Sequence, residues 1–176
     1  MEMKKPRTLL QWLRIRRCYL EAFPAGERKP FSVIVKMARQ GRGDVLYWVE
    51  KGEFIAFATA IHGDGLVLLD YFAVDKGRRG RGFGTRALKQ LQSLYADRGL
   101  FVEIERVCQE APNARQRERR KEFYIQCGMA PLGVQAEVFG VEMELLGSRC
   151  AMTFDGYHSF YRDYNSPWAA EHIKPI

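Results

Sequence analysis

The sequence predicts an α/β domain of the α+β type, with a mixed, mostly antiparallel central sheet flanked by helices. Three features carry that expectation. Three strand-like segments follow one another between residues 45 and 74, separated by glycine-containing turns. A Gly- and Arg-rich turn at 75–82 then runs into apolar residues at helical spacing. A further strand, a helix and more strands follow, so the elements alternate without a repeated βαβ unit.

In chain order, Leu9, Leu13, Leu20 and Phe23 lie near helical spacing and predict a helix over 8–23. Pro24 to Pro30 is a loop by its Pro and Gly content. Residues 31–39 fit a second short helix, although the β-branched run Val33-Ile34-Val35 favours extended chain. Gly41 to Asp44 is a turn. Residues 45–50 and 53–62 form a hairpin about Lys51-Gly52, and Gly63-Asp64-Gly65 turns the chain into a third strand over 66–74. From Gly84 onward Ala87, Leu88, Leu91, Leu94 and Tyr95 recur at helical spacing, with Gly99 as the C-terminal stop. Residues 100–107 read as a strand in which Glu103 and Glu105 alternate with Val102 and Ile104, so both carboxylates share one face. Residues 111–116 read as loop, 117–127 as a helix ending at Gly128, 133–147 as one or two strands, and 153–164 as a short helix starting near Thr153 or Asp155.

The length of 176 residues fits a single domain, and 47% hydrophobic with 28% charged residues is ordinary globular composition. The longest apolar runs, such as Phe54 to Ala58, fall far short of the roughly 20 residues that a membrane-spanning helix needs. Lys4, Lys5 and Arg7 precede an apolar patch that Arg14, Arg16 and Arg17 interrupt, unlike a secretory leader. Cys18, Cys108, Cys127 and Cys150 lack metal-ligand spacing, and His62, His158 and His172 are scattered. A zinc site is therefore not expected. Reduced, buried thiols and a cytoplasmic location are.

The charge is unevenly placed. Residues 76–86 hold Lys76, Arg78, Arg79, Arg81 and Arg86 and no acid, whereas residues 115–121 carry a net +4. The net charge is +7, so the remainder of the chain stands at −2. Such focusing favours one polyanionic ligand at a defined place over a uniformly basic surface.

The first basic segment sits between a strand and a helix. A helix start leaves backbone N–H groups unpaired and carries partial positive charge, which suits phosphate. Gly80, Gly82 and Gly84 remove side chains that would keep a phosphate from the backbone, and Arg79 and Arg81 add charged donors. A P-loop would need lysine after Gly84, where Thr85 stands. A dinucleotide fingerprint read from Gly80 meets Thr85 at its third glycine and would require a parallel βαβ context.

Arg79-x-x-Gly82-x-Gly84 fits the R/Q-x-x-G-x-G/A pattern, and the segment resembles the GCN5-related N-acetyltransferase (GNAT) family. The resemblance implies that main-chain amides of Arg79, Gly80, Arg81, Gly82, Phe83, Gly84 and Thr85 bind the pyrophosphate of acetyl-coenzyme A. It implies that the strand Phe72-Ala73-Val74 pairs with the pantetheine arm. Arg120, Phe123, Tyr124 and Gly128 similarly match the family's R-x-x-x-F-Y-x-x-x-G-F element, with Met129 in place of the last aromatic. By that resemblance Tyr124 gives a proton to the departing thiolate. Where the family often has asparagine about seven residues before this tyrosine, Arg117 stands here, with Asn113 four residues earlier. Either the loop is longer, or arginines contact the phosphates.

Attack by an amine requires loss of a proton from a group whose free pKa is near 10.4. The family's base is often a glutamate on the strand after the loop helix, which makes Glu103 the candidate, ahead of Glu105 or a water chain. A salt bridge from Glu103 to a nearby arginine is the structural alternative. One of Asp70 and Tyr71 should face the cleft. Glu27-Arg28 falls where the family lines its acceptor pocket, and also reads as a solvated loop. The aromatics of Tyr157 to Tyr161 read as core before cage.

The expected organisation is one acetyltransferase-like domain over 1–176. Acceptor-side helices occupy 8–40, the acetyl-CoA core 45–129, and C-terminal strands and helix 130–176. The expected function is acetyl transfer from acetyl-CoA to an amine of a small molecule or peptide, with no metal, nucleic acid or membrane involved and with homodimerisation left open. Two alternatives stand beside it. One is a basic nucleic-acid-binding protein using its arginine clusters, although no nucleic-acid motif is present. The other is a non-catalytic acetyl-CoA-binding domain.

Overall fold

The structure, a computed structural model, describes residues 1–176. Eight strands form one mixed sheet: β1 (Glu2–Lys4), β2 (Gly43–Glu50), β3 (Glu53–His62), β4 (Leu66–Val74), β5 (Gly99–Glu105), β6 (Ala130–Val138), β7 (Val141–Ser148) and β8 (Ile173–Pro175). Their spatial order is β1-β2-β3-β4-β5-β7-β6-β8. β4 and β5 run parallel, whereas β1–β2, β2–β3, β5–β7, β6–β7 and β6–β8 are antiparallel. The helices are α1 (Leu9–Ala22), α2 (Phe31–Arg39), α3 (Phe83–Leu94), α4 (Ala114–Gln126), α5 (Phe154–Tyr164) and α6 (Pro167–Glu171). The residues group into two compact units, Met1–His62 with Leu69–Leu94, and Gly63–Leu68 with Tyr95–Ile176.

In the first unit, α1 opens on a capping box. The Gln11 N–H donates to Thr8 Oγ1, and the Gln11 side chain accepts from the Thr8 N–H. Its buried side is Ile15, Cys18 and Tyr19, whereas Leu9 and Leu13 are exposed. The helix is thus where the leucine spacing puts it, rotated so that the set offset from those leucines meets the core. That core joins Ile15, Tyr19, Ile34, Val45, Phe57 and Tyr71. Residues 31–39 are helical despite Val33-Ile34-Val35. Ile34 is buried, and the C-terminus closes with Gly41 at φ +70, its N–H on the Ala38 carbonyl and the Arg42 N–H on that of Met37. Packing and cap outweigh a β-preference of a few tenths of a kcal/mol per residue. Lys51 and Gly52 both take positive φ, the geometry of a two-residue hairpin turn. α3 buries Phe83, Ala87, Leu88 and Leu91 and is tied to β2 by the Trp48 indole N–H on Gln90 Oε1 at 2.6 Å.

In the second unit, β4 and β5 pair over Leu66–Leu68 and Gly99–Phe101. Gly99 is not a helix stop. α3 ends at Leu94, and Gly99 opens β5 with its N–H on the Gly65 carbonyl at 2.9 Å. It is glycine because a Cβ there would collide with Cys150 and lie 2.9 Å from Leu66 Cδ2. α4 starts at Ala114, three residues before the spacing implied, with Asn113 at its N-cap. α5 is capped by Thr153, whose Oγ1 accepts from the Gly156 N–H at 3.1 Å. Its Phe160 meets Phe101 edge to face at 5.1 Å. β1, α6 and β8 span only three to five residues each, too short for periodicity to reveal.

Gly99→Ala is expected to lower stability by about 1–3 kcal/mol through overpacking. Gly26→Ala, where nothing lies within 4 Å of the added methyl, should stay within about 0.5 kcal/mol of wild type. Urea denaturation of both variants checks the contrast.

Candidate active site

The segment after β4 is fixed at its start and open along its length. The Asp75 N–H bonds the Ile55 carbonyl at 2.9 Å, and the Asp75 carboxylate accepts from the Gly77 N–H at 3.0 Å. Gly80 and Gly82 adopt φ +73 and +71, which explains why these two are glycines. Nothing lies within 4 Å of where a Cβ would stand at either. The first bond into α3 runs from the Arg86 N–H to the Gly82 carbonyl. The N–H groups of Gly80, Arg81, Gly82, Phe83, Gly84 and Thr85 donate to no protein acceptor. The result is a run of open donors at the positive end of a three-turn helix.

The side chains around it divide. Arg78 pairs with Glu53 at 3.2 Å and Arg86 with Glu50 at 3.0 Å, and Arg79 Nε turns back to the Val74 carbonyl at 3.1 Å. Lys76 and Arg81 are exposed and form no ion pair. Of the strand residues, Ala73 is buried in the first unit's core, and Phe72 meets Trp48 edge to face at 6.3 Å.

The second sequence element forms α4. Tyr124 is 6% exposed, and its hydroxyl has no hydrogen-bond partner in the protein. Burial pushes its phenol up to about 12, against the pull of the nearby Arg120. Gly128 and Met129 close the helix. Gly128 has φ +88 with its N–H on the Ile125 carbonyl, and the Met129 N–H bonds the Tyr124 carbonyl at 3.0 Å. Buried Met129 thus fills the apolar position that follows such a cap.

The two β5 carboxylates meet different partners. Glu105 takes Arg117 at 2.7 Å and Arg120 at 3.2 Å, and the Asn113 amide donates to both its oxygens. Arg117 also donates to Asn113 Oδ1 at 2.8 Å. Asn113, Arg117 and Arg120 are therefore spent inside the second unit, and Lys121 is paired with buried Glu144 at 2.7 Å. Of the basic segment 115–121, Arg115 and Arg119 stay exposed without an ion pair. Glu103 Oε1 and Oε2 accept the hydroxyls of Tyr157 and Tyr161, each at 2.9 Å. Those tyrosines are buried, as the core reading expected, but sequence reasoning missed that they ligate Glu103. Their spacing of four residues on one helix was the available signal.

The segment around Glu27 and Arg28 is pinned to β4. The Tyr71 hydroxyl donates to the Glu27 carbonyl at 2.8 Å and accepts from the Lys29 N–H at 3.0 Å. Asp70 holds the Lys29 ammonium at 2.7 Å. Sequence reasoning did not find Lys29. No group of three or more His, Cys, Asp or Glu residues is arranged to hold a metal, and no helix is long and apolar enough to cross a membrane.

The Tyr124 phenol provides a test of this environment. Its pKa is raised in the fold from an unfolded value near 10, so its contribution to stability is complete below pH 10 and is lost as pH rises towards 12. The stability of wild type relative to Tyr124→Phe should therefore fall by about 2 kcal/mol between pH 9 and 12. Denaturation of the pair at both pH values measures it.

The acetyltransferase (GNAT) family matches residues 10–129. Among solved structures, a Bacteroides thetaiotaomicron protein described as a GNAT acetyltransferase superposes with TM-score 0.80 at 18% identity, over 97% of this chain and 99% of that one. An aminoglycoside 6'-N-acetyltransferase complexed with coenzyme A gives 0.68 at 16% identity, over 84% and 96%. A ribosomal-protein alanine N-acetyltransferase from Escherichia coli gives 0.62 at 17%, over 86% and 95%. At these identities the likeness is one of fold. No curated protein matches in sequence. With its family match running from α1 through the meander and the open-amide turn to α4, the chain belongs to the GNAT acetyltransferase family.

Proposed function

We propose that this protein transfers the acetyl group of acetyl-CoA to an amine of a small molecule or peptide, by direct attack within a ternary complex. The observation that carries the reading is the run of acceptor-free amides from Gly80 to Thr85 at the start of α3. These donors fit a pyrophosphate. They are consecutive, the two positive-φ glycines leave the approach clear, and Lys76 and Arg81 add uncommitted charge nearby. The named acceptors of structural neighbours, an aminoglycoside and a ribosomal-protein alanine, support an amine as second substrate.

In this reading Glu103 takes the amine's proton, directly or through water. Its two oxygens accept the hydroxyls of Tyr157 and Tyr161. Glu105 is a poorer base because both its oxygens face guanidinium groups. Tyr124 serves the leaving sulfur. A phenol at about 12 lies well above a thiol near 8.5, so complete proton transfer to the thiolate is uphill by about 5 kcal/mol. Tyr124 therefore acts first as a hydrogen-bond donor to developing negative charge, and the sulfur gains its proton as product leaves for water.

Calorimetry with acetyl-CoA on wild type and Gly82→Trp should show micromolar binding that the variant loses. Thiol release should then appear with at least one member of an amine panel comprising an aminoglycoside, spermidine and a peptide with a free N-terminus. On that acceptor, Tyr124→Phe and Glu103→Gln should each lower kcat by about 100-fold. Binding without turnover by any amine would favour the non-catalytic domain, and absence of binding would remove the reading.

A further inference from the structure

We propose that Tyr157 and Tyr161 are positioning residues that hold both oxygens of the Glu103 carboxylate in one orientation and in its ionised form, making α5 part of the catalytic apparatus. The inference rests on Glu103 acting as the base. Its own footing is geometric. Tyr157 donates to Oε1 and Tyr161 to Oε2, each at 2.9 Å, one helical turn apart on α5. Their rings meet edge to face at 5.3 Å, and both residues are buried. α5 is itself held by its Thr153 cap and by the Phe101–Phe160 contact on β5, two residues before Glu103.

The chemistry follows from the partners. A glutamate side chain has several free rotors, and two rigid phenols remove that freedom before substrate arrives. Hydroxyl donors favour the charged carboxylate, yet a neutral phenol does not compete for it as an ammonium or guanidinium would. Burial and the Glu103 charge together push Tyr157 well above the ordinary phenol range, so it stays a donor across the working pH range. Near the carboxylate stand the two phenols of α5, with Tyr164 against Tyr161 at 5.0 Å, apolar Leu145 opposite on β7, and Glu105 two residues along with Arg117 and Arg120. Glu105, two residues along the strand, is held by the guanidinium groups of Arg117 and Arg120. The family match ends at residue 129, so the clamp is supplied by chain beyond it.

The test is a carbon-13 NMR titration of protein labelled at the glutamate carboxyls, with the Glu103 signal assigned from its loss in Glu103→Gln. In wild type Glu103 should titrate below the usual value of about 4.3. Tyr157→Phe and Tyr161→Phe, which delete only hydroxyls, should each raise it by about one pH unit. The acid limb of kcat/KM for the amine should move the same way, with KM for acetyl-CoA unchanged. A purely structural role would lower the melting temperature and leave the titration in place. Wild-type titration at or above the usual value overturns the proposal, and this holds even if neither variant folds. An unmoved titration in both folded variants also overturns it. Full activity of Glu103→Gln would instead remove the base reading, and with it the catalytic purpose of the clamp, while the titration separately reports whether the clamp exists.

Discussion

The turn between β4 and α3 cannot satisfy its own backbone. Two glycines at positive φ bend the chain so that six consecutive N–H groups from Gly80 to Thr85 meet no protein acceptor. Backbone donors are nearly always paired, by protein or by water, because an unmet donor away from solvent costs about 1–3 kcal/mol. Here the donors are left to whatever approaches from outside. The fold keeps them so by holding both ends. Asp75 bonds β3 on one side, and on the other α3 is fastened to β2 through Trp48 and Gln90.

The second unit treats charge in the opposite manner. Most of the cations that make residues 115–121 conspicuous are consumed by carboxylates of β5 and β7: Arg117 and Arg120 by Glu105, Lys121 by Glu144. Side chains 14–18% exposed make the Arg117–Glu105 pair more than a surface contact, since screening by water is reduced there. The two arginines fasten α4, and with it buried Tyr124, to the strand that carries Glu103, and Lys121 fastens it to β7. The internal use of these arginines also weakens any reading of the segment as a surface for nucleic acid, which would need them free for phosphates.

Much of this was legible in the sequence, and the gaps have physical causes. The meander at 45–74 and the loop-to-helix transition were readable because strand alternation and glycine placement are local signals. Gly128 was readable as a helix end for the same reason. Gly99 was misread because glycine marks close approach as well as helix ends, and only tertiary structure brings Cys150 and Leu66 against it. α1 was found from leucines that turn out exposed, because two apolar stripes share that helix and spacing alone does not choose between them. In the site, the alternation of Glu103 and Glu105 was visible but their partners were not. Arg117, Arg120, Tyr157 and Tyr161 lie 12 to 58 residues away, and no local pattern encodes such pairings.

The central claim is that the open amides of the β4–α3 turn receive the phosphates of acetyl-CoA. Amide hydrogen exchange resolved across residues 79–86, compared without and with saturating acetyl-CoA, addresses it at those donors. The account expects strong protection of Gly80 through Thr85 on binding, with little change at β1 or α6. Saturated binding that leaves those amides exchanging as in the free protein would contradict it.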